Sequence, residues 1–177
     1  MKCISKSIVF VLCLLSLNIM AQETFPASWE GNYKGELHIY GVDSVQMKLT
    51  MLLTIVKKTD SIYQWKITYD FKGKEDIRDY ELALVDKTKG IYKIDEQNSI
   101  VIDSYYKTGI FTSFFEVMDS YIISTYTKSK EGIIFEIISA SGKKPSITGN
   151  STFNNEQIPE VISYVVNGRQ KALLKKQ

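Results

Sequence analysis

The chain contains one histidine, His38, and two cysteines, Cys3 and Cys13, both close to its start. One imidazole without thiols elsewhere excludes zinc sites and Cys-His dyads from the rest of the chain. A Ser-His-Asp triad would have to use His38, and no serine sits in a nucleophile elbow. No glycine loop suited to cradling phosphate is present. His38 falls on the polar parity of its strand, so it points away from an interior where haem would have to be ligated. No cofactor or metal is therefore expected. Carboxylates are the remaining reactive groups. Asp76 and Asp79 stand near a strand start, and Asp103, Glu116 and Glu136 lie within apolar strands. A glycosidase needs two acids opposed across a cleft. Acids on outward, solvated faces explain these five more simply, and a non-catalytic protein is expected.

Aromatic residues offer a different chemistry. Tyr33, Trp65, Tyr69, Tyr80, Phe115 and Phe135 fall on what reads as the inward parity of their strands. Tyrosine and tryptophan give a pocket an apolar wall with a polar handle. These six are the expected ligand-binding residues. The competing expectation is that they form a packed core.

The elements that would position them are strands. The chain has 11 Tyr and 8 Phe, many Ile, Val and Thr, and only 3 Pro. Period-two alternation marks half-buried strands. Trp29, Gly31, Tyr33, Gly35, Leu37 and Ile39 share one face, against Glu30, Asn32, Lys34, Glu36 and His38. Met47 to Ile55, then Trp65 to Phe71, then Arg78, Tyr80, Leu82 and Leu84 continue the pattern. Later strands are expected at Ile91–Ile94, Ile100–Tyr106, Ile110–Val117, Tyr121–Lys128 and Ile133–Ser139. Met118–Ser120 and Ser129–Gly132 read as tight hairpin connections. The polar stretch Ser141–Pro159 is expected to hold a long loop. Glu160–Val166 reads as a strand or a short helix, and a last strand is expected at Gln170–Lys175. Nine or ten consecutive antiparallel strands fit an all-β, up-and-down barrel, with a two-sheet sandwich as the alternative.

The start of the chain has export character. Lys2 and Lys6 precede a short apolar run, Ile8 to Leu17, and Ala21 offers a small residue for cleavage. This is the secretory pattern, too short for a spanning helix. Residues 1–21 are expected to be a signal peptide and 22–177 one domain, exported to a periplasm or the exterior. Lipid attachment at Cys13 is disfavoured, because Val11 and Leu12 precede it where small residues are needed. Removal of the signal leaves 156 of the 177 residues and no cysteine. It also lowers the Lys+Arg count from 22 to 20, equal to the 20 acids. A neutral domain gives no electrostatic argument for nucleic acid or an anionic membrane. No integral membrane segment is expected after signal removal.

The segment Ala27-Ser28-Trp29-Glu30-Gly31-Asn32-Tyr33-Lys34-Gly35 resembles the opening strand of the calycin superfamily, which includes lipocalins, fatty-acid-binding proteins and avidins. That resemblance implies a barrel holding a small hydrophobic molecule. It also implies a basic residue from near the last strand packed across the tryptophan, here Arg169 over Trp29, closing the barrel. The family usually places glycine two residues before the tryptophan, where this chain has Ala27, so the subfamily stays open. The expected function is binding of a small apolar or amphipathic ligand. The alternative is an inhibitor or envelope-interaction module that meets its own copy or an envelope protein through an outer apolar face at Ile110–Phe114 and Ile134–Ile138.

Overall fold

The computed structural model describes residues 24–177. The expected signal peptide and Cys13 lie outside the described residues. A short 3-10 turn, Ala27–Trp29, precedes twelve strands. These are β1 (Gly31–Tyr40), β2 (Val45–Lys57), β3 (Ile62–Phe71), β4 (Lys74–Asp86), β5 (Ile91–Asp95) and β6 (Val101–Lys107). They continue as β7 (Ile110–Val117), β8 (Ser120–Lys128), β9 (Ile133–Thr148), β10 (Ser151–Phe153), β11 (Glu156–Ile158) and β12 (Val161–Lys176). Ten of them close into one antiparallel barrel in the order β1-β12-β9-β8-β7-β6-β5-β4-β3-β2. The expected barrel is therefore the architecture, and the sandwich alternative is set aside. A closed ten-stranded barrel is compatible with a calycin-like fold.

Alternation explains the faces. Tyr33 and Leu37 of β1, Met51, Leu53 and Ile55 of β2, and Trp65 and Ile67 of β3 are buried, while their neighbours in sequence are more exposed. Two-residue turns fix the register. Lys72 and Gly73 join β3 to β4 with φ of 55° and 83°, and Met118 and Asp119 join β7 to β8 with φ of 47° and 59°. Two successive left-handed residues match the twist of paired strands. In the first of these turns Gly73 N–H donates to Asp70 Oδ1 at 2.8 Å. Close approach explains Gly35, where an added Cβ would collide with the Leu173 carbonyl of β12.

Three expectations need correction. Ser141–Pro159 is not a long loop. β9 and β12 run 16 residues each and continue past the barrel as a two-stranded arm, which the β10–β11 hairpin extends. The β12–β9 pairing runs from Val161↔Thr148 to Leu174↔Ile133, so Glu160–Val166 is strand from Val161 onward. Trp29 does not sit on β1. It ends the 3-10 turn that folds across the barrel end before β1 begins. Arg169 does not cover Trp29. Antiparallel register sets Gln170 opposite Ile39 and Lys176 opposite Tyr33, so Arg169 belongs to the far end of β1. Its guanidinium lies 5.1 Å from the Tyr40 ring centroid and pairs with Glu136 at 2.9 Å. The cation near Trp29 is Lys128, 5.8 Å from the ring centroid.

The core sits at the end where Trp29 lies, hereafter the closed end. Phe25 enters the barrel there, stacked on Tyr106 at 4.4 Å and edge-on to Trp29 at 4.9 Å and Tyr92 at 5.0 Å. Such aromatic pairs add about 0.5–1.5 kcal/mol each beyond area burial. Tyr92 OH donates to the Phe25 carbonyl and Tyr33 OH to the Trp29 carbonyl, at 3.3 and 2.8 Å. These bonds tie the entering segment to the strands around it.

Candidate functional site

Beyond this aromatic layer, towards the open end, the interior is not filled. Trp65, Phe111 and Tyr126 form the boundary, with centroids 5.1–6.3 Å apart. Above them is a chamber of about 120 Å³, lined also by Ile67, Tyr69, Arg78, Tyr80, Ile94, Glu96, Phe115, Ser113, Ser124 and Phe135. A second, wider hollow of about 450 Å³ forms the vestibule, lined by Leu37, Leu49, Phe71, Lys74, Glu75 and Asp76 among others. Tyr69, Arg78 and Ile137 line both spaces and mark the neck between them.

Arg78 is the principal group at the neck. It shares the inward parity of β4 with Tyr80 and Leu82. Its Nη2 and Nε donate to Asp76 Oδ2 at 3.1 and 3.3 Å, and its Nη1 donates to Tyr80 OH at 3.3 Å. The guanidinium also lies 5.7 Å from the Tyr69 ring centroid. The bond to Tyr80, outweighing burial, pushes the Arg78 pKa up. Burial pushes the Tyr69 phenol up to about 12 and raises Tyr80 and Tyr126 in the same direction. These phenols are neutral donors and acceptors at ordinary pH. Deeper in, Ser113 Oγ and Ser104 Oγ share a hydrogen bond of 2.7 Å. Among the described residues, no fully buried side-chain polar atom lacks a hydrogen-bond partner.

Five of the six expected ligand-binding residues, Trp65, Tyr69, Tyr80, Phe115 and Phe135, line this chamber. Tyr33 does not. It is buried at the closed end, bonded to Trp29 and close to Lys128 and Lys176. Inward parity gave the face of Tyr33 correctly but not its height along the barrel. Arg78 and Tyr126 went unassigned. An arginine on the inward parity of β4 was the available signal for the first. Apolar residues on both parities of β8 obscured the second.

The carboxylates are dispersed. Asp79 accepts from Gln64 Nε2, Asp103 faces Lys93, and Glu136 pairs with Arg169 and Lys171. Asp76 holds Arg78, and Glu116 is exposed on β7. His38 pairs with Glu36 on the partly exposed outer face. Among the described residues, no group of three or more His, Cys, Asp or Glu side chains could hold a metal ion, and no helix is long and apolar enough to cross a membrane.

Of the expected outer apolar face at Ile110–Phe114 and Ile134–Ile138, Phe114 and Ile138 meet residues of β8 and β12 in one groove. Phe114, Ile123, Ile138, Tyr121, Tyr164 and Val166 line a shallow groove of about 400 Å³, and Phe114 is 64% exposed. Comparison with protein-family models, with curated proteins and with solved structures gave no match to this chain.

Proposed function

We propose that the protein is an exported, non-catalytic carrier of a small amphipathic molecule. An apolar group the size of one ring would occupy the chamber, and a neutral or cationic head would lie at the neck. The carrying observation is the chamber itself, about 120 Å³ walled by aromatic side chains. An apolar protein cavity of about 150 Å³ accepts benzene. A long lipid chain does not fit this space and would have to lie in the vestibule. The buried polar atoms around the chamber already have partners, which favours an apolar guest.

The head group follows from charge. Arg78 already holds a carboxylate in Asp76, so an anionic ligand would have to displace it. Glu75 and Glu96 add further negative charge around the two spaces, against Lys74. An amine or a neutral hydrogen-bonding head suits that balance better than a carboxylate. Native mass spectrometry of protein purified from its own host, followed by denaturation, tests this reading. The expected result is a stoichiometric small compound that Ser124→Leu, which fills the chamber, no longer retains. A clean apo mass, together with no uptake of any ring-sized compound, would contradict it.

A second reading rests on the exposed groove around Phe114. A contiguous exposed apolar patch marks a protein-interaction surface. If that surface carries the function, Phe114→Ser abolishes association with the partner while leaving ligand uptake intact.

A further inference from the structure

Equal numbers of acids and bases over residues 22–177 conceal a separation of charge along the barrel. Antiparallel order brings the β2–β3, β4–β5, β6–β7 and β8–β9 turns to the closed end, together with the end of β12. Lys87, Lys107, Lys128, Lys130, Lys175 and Lys176 all lie in these turns or within two residues of the strand ends beside them. None of the six forms an ion pair among the described residues. Lys57, Lys58 and Lys89 join them but are paired with Asp60, Glu81 and Asp86. The acids at this end are Glu30, Asp60, Glu81, Asp86 and Glu131. The opposite rim has the reverse balance. Asp43, Asp70, Glu75, Asp95, Glu96, Glu116 and Asp119 crowd its turns and strand ends, against Lys72, Lys74, Lys143 and Lys144, while Arg78 and Arg169 are paired with Asp76 and Glu136.

We infer that the closed end is an electrostatic docking surface for an anionic phospholipid membrane, which leaves the chamber mouth facing away from it. Two observations favour a lipid surface over another polyanion. The six lysines are spread over separate turns around the end of a barrel and do not line a groove, so they suit a flat, diffuse array of charge. The end has no arginine, the residue suited to bidentate phosphate recognition. Both arginines, Arg78 and Arg169, lie towards the other end. A hydrated lysine point charge suits attraction without a fixed partner geometry.

Lys128 has no counter-charge among the described residues. Its Nζ donates to Tyr33 OH at 3.1 Å and has no carboxylate, and burial lowers its pKa. An approaching phosphate would supply the missing counter-charge. A ten-residue strand at about 3.3 Å per residue separates the two rims by roughly 25–30 Å after tilt. That exceeds the screening length of about 8 Å at physiological salt, so the acidic rim does not cancel attraction at the basic one.

Vesicle co-sedimentation of the purified protein tests the inference. Vesicles of phosphatidylcholine with one part in three phosphatidylglycerol are compared with pure phosphatidylcholine. Binding to the anionic vesicles is expected to be at least tenfold stronger and to vanish in high salt. Each of Lys87→Glu, Lys107→Glu, Lys130→Glu and Lys175→Glu is expected to weaken it by about fivefold or more, since each removes a positive charge and adds a negative one. Lys72→Glu with Lys74→Glu, at the other rim, is expected to leave it unchanged, and thermal melts show whether each variant is folded. Equal binding to both vesicle types overturns the inference. So does an equal loss from the Lys72/Lys74 pair, which would indicate net charge alone. Tighter binding to a DNA oligonucleotide than to anionic vesicles also overturns it, in favour of nucleic acid.

Discussion

The two halves of the barrel interior are built from the same residue types and end in different states. At the closed end, Phe25 comes from outside the strand system and fills the axis between Trp29, Tyr92 and Tyr106. At the open end no segment of the described residues enters, and the space above Trp65 and Tyr126 stays a chamber beneath Arg78. A barrel of this width needs additional side chains to fill it. The difference therefore lies less in the strands than in the few residues before β1, which close one end and leave the other available.

The largest expected effect breaks the closed half. Phe25→Ala or Trp29→Ala removes a fully packed aromatic group and is expected to cost about 3–5 kcal/mol. Phe115→Ala, beside the chamber, is expected to cost about 1–2 kcal/mol, because one side of that ring already borders empty space. Urea unfolding of the three variants measures the contrast. Equal losses would mean that the chamber is packed in solution.

A pH series separates the halves differently. The Tyr69 phenol ionises near its ordinary value of 10 in the unfolded chain and at about 12 in the folded protein. Its contribution is fully present below pH 10 and is lost as pH rises from 10 to 12, since the unfolded chain releases that proton first. Urea midpoints at pH 9 and 11.5 are expected to differ less in Tyr69→Phe than in the parent. An unchanged difference would assign the alkaline loss to other groups.

The smallest expected effect concerns the neck. Arg78→Met removes an ion pair to the exposed Asp76 and is expected to change stability by less than about 1 kcal/mol. Its effect on ligand exchange is expected to be larger, because Arg78 borders both spaces. Stopped-flow release of a bound ring-sized fluorophore measures this. A rate unaffected by the substitution would remove Arg78 from the entry path.

Period-two alternation made the strands and their faces legible, and the barrel followed from consecutive hairpins without long helices. Height along the axis was not legible. Tyr33 and Trp65 share an inward face, but only the pairing of Tyr33 with Lys176 shows that it belongs to the closed end. The same limit misassigned Arg169, which lies near the C-terminus in sequence but opposite the far end of β1. The arm was hidden because its polar, glycine-containing sequence looks like a loop, while paired backbone makes it strand. Charge separation was hidden by the total. A sum over the chain is blind to which turns meet at which end.

The central claim is that the open half receives a small guest while the closed half is full. Trp29 lies in the packed closed end and Trp65 at the floor of the chamber, so the two indole N–H signals in a nitrogen–proton correlation spectrum report on the two places separately. During titration with benzylamine, the Trp65 signal is expected to move and saturate while that of Trp29 stays in place. Benzoate is expected to move it less. If neither signal moves, or if both move together, the chamber is not a binding site.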